Sequence, residues 1–397
     1  MNKLKITRKW FVWLFLVAML AACKPAATAD LDMAATYAAQ TLMAMATETE
    51  TLEPTGTPEP TETLTATPLP TLEPVGPVDF PENVNPLTGM PLDDPSILNR
   101  RPVLVKVANF PVSGRPHAGL SSADMVFEYY IGSGANRFMG LFYGQDAEKI
   151  GPVRSGRLVD PHIVSLYEGI LGMESAYITI LDHIAEILGN RVISGRGTCP
   201  AICDDGRNIV ISVFANSEAM TESATQRGVI NQRYLLEGMA FDPQTPAGGA
   251  PGEQALVLYS FFNRGEWRYD EDSGLYQRWI EADSSTTDLI PLVDSVTEEQ
   301  LAFANVVVIF ANHTEITPTL HEIDLWNVVN QRAVVFRDGQ AFDGTWTTPQ
   351  TNQPIQFIGA DGEVMRLKPG NTWVVIVGVN SGVTTEGGNW TFDFRMP

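Results

Sequence analysis

Two arginines three residues apart, in Gly151-Pro-Val-Arg-Ser-Gly-Arg157, are the strongest pointer to chemistry in a 397-residue chain of net charge −21. A guanidinium presents a planar fork of donors that fits phosphate or carboxylate bidentately, which an ammonium does not. Arg137, on the strand expected just before them, joins Arg154 and Arg157 if its side chain points to the same end of a sheet. Backbone N–H groups in the turn, and at a helix expected to start near Asp160, offer an anion further donors. Asp124 and Glu128 are the acid or base candidates, because phosphoryl transfer needs positioning and charge neutralisation more than a nucleophile. The competing reading is an internal salt-bridge network that pairs the arginines with Asp124, Glu128 or Asp160.

Other candidates carry less. His117, His162, His183, His313 and His321 are scattered with no His-x-x-x-His pair, so no protein metal site is expected. No cofactor is called for. Glu174 and Asp182-His183 read as helix-surface groups rather than an acid–base pair. Trp267, Trp279, Trp346 and Trp373 read as the core of a β domain rather than a glycan-binding face.

The elements that position these residues follow a long non-globular stretch. Lys3, Lys5, Arg8 and Lys9 precede an apolar run from Trp10 to Ala22, too short to span a bilayer and suited to a signal peptide over residues 1–22. Leu20-Ala-Ala-Cys23 resembles a lipobox, which makes Cys23 the lipidation site, with two acyl chains giving stable anchoring on the extracytoplasmic face. Residues 23–79 form the anchor and a disordered linker; between Thr47 and Pro77 lie 10 Thr and 7 Pro, a composition that buries no core and favours extended chain. In an oxidising compartment, Cys199 and Cys203 are expected to close a small loop as a disulfide.

The folded part reads as an α/β N-terminal domain, 80–245, followed by a mostly antiparallel β C-terminal domain, 246–397. Val103–Ala108, Asp124–Tyr130 and Arg137–Tyr143 predict strands, and Ile163–Glu168 and Tyr177–Leu188 predict helices. Further on, short β-rich runs alternate with Asp272-Ser-Gly274, Asp338-Gly339, Asp343-Gly344 and Asp361-Gly362, each read as a hairpin turn.

Asn85-Pro-Leu-Thr-Gly-Met-Pro91, Gly119-Leu-Ser-Ser-Ala-Asp124, Arg137-Phe138 and Lys149-Ile-Gly-Pro-Val-Arg-Ser-Gly-Arg157 together resemble the YerB-like lipoprotein family. So do Val334-Val-Phe-Arg-Asp-Gly339, Gly344-Thr-Trp346 and Leu367-Lys-Pro-Gly-Asn-Thr-Trp373, so the resemblance spans the folded part. It implies a lipid-anchored, extracytoplasmic, two-domain protein of unknown function (domain of unknown function 3048, N- and C-terminal parts) and no particular reaction. The chain departs from the family pattern where a histidine would follow the helix: it has Leu171-Gly-Met-Glu-Ser175.

Two functions fit. One is a non-catalytic binding or structural module of the cell envelope whose arginines hold an anion. The other is a phosphotransferase or carrier acting on a phosphorylated envelope lipid or wall glycan. The first is favoured because no complete nucleophile–base set is present. The expected partners are the membrane through the anchor, and wall polymer, phosphorylated envelope lipid or an envelope protein. The acidic balance excludes nucleic acid.

Overall fold

The computed structural model describes residues 72–208 and 210–396, so the signal segment, Cys23 and the linker up to residue 71 lie outside the described residues. Within the Thr/Pro-rich stretch, Val75 and Phe241 exchange both backbone hydrogen bonds at 2.9 Å.

In the N-terminal part, β1 (Val103–Val107), β2 (Met125–Gly132), β3 (Ala135–Phe142), β4 (Ile170–Met173) and β5 (Val192–Ser194) make a mixed sheet. β3 pairs antiparallel with both β2 and β1, while β1, β4 and β5 run parallel. Parallel neighbours need a crossover. Helices α1 (Asp160–Leu166) and α2 (Ile178–Leu188) supply them; a third, α3, covers Ser217–Gln226. α2 forms because Ile180, Ile184 and Leu188 recur at helical spacing and bury one face.

The C-terminal part is largely antiparallel. β6 (Gln254–Ser260), β7 (Asn263–Asp270) and β8 (Leu275–Glu281) form a meander, and β9 (Asn305–Ala311), β10 (Gln331–Arg337), β11 (Gln340–Thr347) and β12 (Gln356–Ile358) continue the N-terminal sheet. β13 (Thr372–Gly378) is the seam: it pairs parallel with β9 on one side and with β2 on the other. All seven of its residues are buried, as a strand covered on both faces requires. The main sheet therefore runs β12-β11-β10-β9-β13-β2-β3-β1-β4-β5. Strands from both sides of residue 245 share it, so that expected boundary divides sequence stretches and not cores. A second sheet stacks β8-β7-β6 with β15 (Asn389–Asp393) and β14 (Gly382–Glu386).

Alternation along the central strands builds two cores. Val126, Phe138, Trp373 and Val306 face the second sheet, where Trp267, Tyr276 and Val257 meet them. Phe127, Met139, Leu141, Val374 and Ile376 face α1 and α2. Asp338-Gly339 forms the expected two-residue turn between β10 and β11. Asp343-Gly344 does not turn. It lies within β11, where a Cβ on Gly344 would sit 2.4 Å from the Ile358 carbonyl oxygen. The glycine there permits close strand approach.

Candidate functional site

β1 and β2 run parallel, with β3 between them, so the ends of β1 and β2 and the start of β3 meet at one end of the sheet. Lys106, Tyr129 and Arg137 occupy that end on the face toward α1; Tyr129 and Arg137 are direct cross-strand partners. The segment 153–157 crosses this end, tied by the Arg154 N–H to the Lys106 carbonyl at 3.0 Å and by a bridge between Val107 and Val153. It brings Arg154 and Arg157 beside Arg137. Arg137 is only 7% exposed, whereas Arg154 and Arg157 are half-buried.

Arg137 and Arg157 are held by carbonyls, not carboxylates. Arg137 Nη1 donates to Ser155 O at 2.6 Å, and Arg157 Nη1 donates to Gly156 O at 2.8 Å. Arg137 Nε and Arg157 Nε are buried without an acceptor, and among the described residues no carboxylate lies within 4.0 Å of any of the three guanidiniums. The salt-bridge network weighed for them from sequence is therefore not formed. Burial, then the neighbouring Arg157 and Arg154, push the Arg137 pKa down to about 9. Burial likewise lowers that of Arg157.

The nearby carboxylate is committed elsewhere. Asp160 is fully buried, pairs with Lys106 Nζ at 3.0 Å, accepts the Tyr129 hydroxyl, and accepts the Arg157 N–H at 2.8 Å. Lys106 also touches the Tyr129 hydroxyl and stands 3.8 Å from the ring centroid. Burial pushes the Lys106 pKa down to about 7 against the opposing pull of Asp160. Four basic side chains thus gather at this end of the sheet, one of them paired with Asp160, in a chain that is acidic as a whole.

Several expectations are corrected here. Three of the turn's amides are already engaged: Arg154 N–H serves Lys106 O, Gly156 N–H serves Ser175 O at 2.7 Å, and Arg157 N–H serves Asp160. Asp124 is buried away from the arginines, accepting from Asn85 Nδ2 at 2.8 Å and from the N–H groups of Tyr143 and Gly144 at 2.6 and 3.0 Å. Glu128 precedes Tyr129 on β2 and so points to the opposite face, where it accepts from Arg278 and from Trp373 Nε1 at 3.1 and 3.0 Å. Neither is an acid or base for the cluster. Cys199 and Cys203 are joined, with Cα atoms 4.6 Å apart. Among the described residues no group of His, Cys, Asp and Glu is placed to hold a metal. Trp267, Trp346 and Trp373 are fully buried, which removes them as a ligand face.

Lys106 and Tyr129 are the members that sequence reasoning missed. A lysine inside Val-Leu-Val-Lys-Val was the available signal, since a buried strand tolerates one only when it is paired. The larger concavities lie elsewhere: about 650 Å³ bounded by residues such as Thr245, Asp343 and Arg366, and about 380 Å³ beside Phe80 and Tyr234. Arg137, Arg154 and Arg157 line neither of them.

Two family descriptions match this chain: the N-terminal domain of a protein of unknown function (DUF3048) over residues 87–230, and its C-terminal domain over 257–374. The chain belongs to the DUF3048 family. The three arginines, Lys106, Tyr129 and Asp160 all fall within the N-terminal match, while the partners of Glu128 (Arg278 and Trp373) fall within the C-terminal one. A relative from Bacillus subtilis (strain 168), named "Putative lipoprotein YerB", is 25% identical over 308 residues, covering 74% of this chain and 85% of the relative. The crystal structure of YerB protein from Bacillus subtilis superposes with a TM-score of 0.63 at 24% identity, over 74% of this chain and 96% of that one. That likeness establishes the fold. Among the described residues no helix is long and apolar enough to cross a membrane.

Proposed function

We propose that this DUF3048 protein is a membrane-anchored, extracytoplasmic lipoprotein whose folded body is a binding module for a phosphate-bearing ligand of the cell envelope. The observation that carries the binding reading is the convergence of Arg137, Arg154 and Arg157 with no carboxylate on any guanidinium, beside an Asp160 fully engaged by Lys106 and Tyr129. An uncompensated cationic group is costly to keep in a protein unless an anion repays it. Two or three guanidinium forks are what a phosphate needs. The anchoring reading rests on the lipobox-like Leu20-Ala-Ala-Cys23 and on the relative's lipoprotein name. A phosphotransferase is the weaker reading, because its base would have to be Asp160, which is already satisfied and fully buried.

Calorimetric titration of the full chain with inorganic pyrophosphate tests the site. Removing one charge-assisted contact costs about 1.5–3 kcal/mol, so Arg154→Ala is expected to weaken binding by roughly 10-fold or more. Absence of heat from the wild type, or equal affinity in Arg154→Ala and Arg157→Ala, would sink the binding reading. For the anchor, Cys23→Ser is expected to move the chain from the membrane fraction to the soluble fraction; unchanged partitioning would refute lipidation at that residue.

A further inference from the structure

The arginine segment is laced to the chain that opens α2. Arg154 O accepts the Glu174 N–H at 3.1 Å, and Gly156 N–H donates to Ser175 O at 2.7 Å. Tyr177 and Ile178 follow two and three residues later, roughly 8–11 Å of chain from that ladder at most. Both are unusually exposed for their type, Tyr177 at 73% and Ile178 at 59%. Ile178 stands apart from the buried stripe of Ile180, Ile184 and Leu188, where the amphipathic pattern calls for a polar residue. The carboxylate between the two features is turned to another partner: Glu174 pairs at 3.2 Å with Arg196, which it shares with Asp204.

We infer that the ligand of this site is amphiphilic, a phosphate or diphosphate ester carried on an apolar chain, with the ester on Arg137, Arg154 and Arg157 and the first part of the chain on Tyr177 and Ile178. This rests on the anion-binding reading above and narrows it. A wholly hydrophilic polyphosphate would use the arginines and gain nothing from an isoleucine placed in water beside them. An apolar chain covers it, and burying one such side chain is worth a factor of roughly 10 or more in affinity.

The test uses the full chain in zwitterionic nanodiscs, with empty nanodiscs as reference, titrated with farnesyl diphosphate, inorganic pyrophosphate and farnesol. Farnesyl diphosphate is expected to bind at least about 10-fold tighter than pyrophosphate, with farnesol weakest. The Tyr177→Ser/Ile178→Ser double variant changes only exposed positions; it is expected to abolish that advantage while leaving pyrophosphate binding and the melting temperature unchanged. Equal affinity for farnesyl diphosphate and pyrophosphate overturns the amphiphile, and an advantage that survives the double variant overturns the role of Tyr177 and Ile178; both leave the anion site standing. If pyrophosphate and farnesyl diphosphate both fail to bind, the anion reading falls and this inference falls with it.

Discussion

Glu128 and Tyr129 are consecutive on β2, yet they organise charged clusters of opposite character on opposite faces of the sheet. On the face toward the second sheet, Glu128 accepts from Asn136, Arg278 and Trp373, and Arg278 stacks 4.1 Å over Trp267. Both charges are fully buried and matched one to one. On the face toward α1, Asp160 is paired with Lys106, and among the described residues no carboxylate lies within 4.0 Å of the guanidiniums of Arg137, Arg154 and Arg157. A balanced buried pair belongs to the scaffold, because each charge repays the desolvation of the other. An unbalanced group at a half-open edge is what a ligand-binding site requires.

The largest effect should come from breaking the balanced side. Glu128→Gln leaves the Arg278 charge buried without its partner, and is expected to cost about 3–5 kcal/mol in urea unfolding. A loss within about 1 kcal/mol would mean that Arg278 is not held as described.

The pH response sharpens the other side. Lys106 has a folded pKa of about 7, against 10.5 for an ordinary lysine. Between those values the unfolded chain binds more protons than the folded one, so stability should rise with pH across that window and level off above it. Lys106→Met should flatten this rise. A slope that persists in the variant would assign it to other groups.

The smallest expected effect is the most telling. Arg154→Ala and Arg157→Ala should each leave unfolding free energy within about 1 kcal/mol of wild type, or raise it slightly by relieving repulsion. Destabilisation as large as that of Glu128→Gln would make the arginines scaffold and erase the contrast between the two faces.

Most strands were readable because their chemistry is local. Val306–Phe310 and Trp373–Val377 are apolar runs too short for helices, and Asp338-Gly339 is a hairpin signal that needs no tertiary help. Asp343-Gly344 carries the same dipeptide and lies mid-strand, because the approach of β12 decides the matter. Glu128 is an acid or base candidate by its chemistry alone; the two-residue period of a strand sends it to the face away from the arginines once the register of β2 is known.

By itself, the sequence determined which stretches form strands, and that Arg154 and Arg157 sit in a turn before a helix. These follow from side-chain size, charge and backbone preference within a few residues. Only the tertiary structure decided that β13 enters between β9 and β2, that Trp373 reaches Glu128 across 245 residues, and that Asp160 belongs to Lys106 rather than to the arginines. Those outcomes depend on which strands become neighbours and which face each residue then presents. Strand order is set by the summed burial of many residues far apart in sequence, so no single motif encodes it.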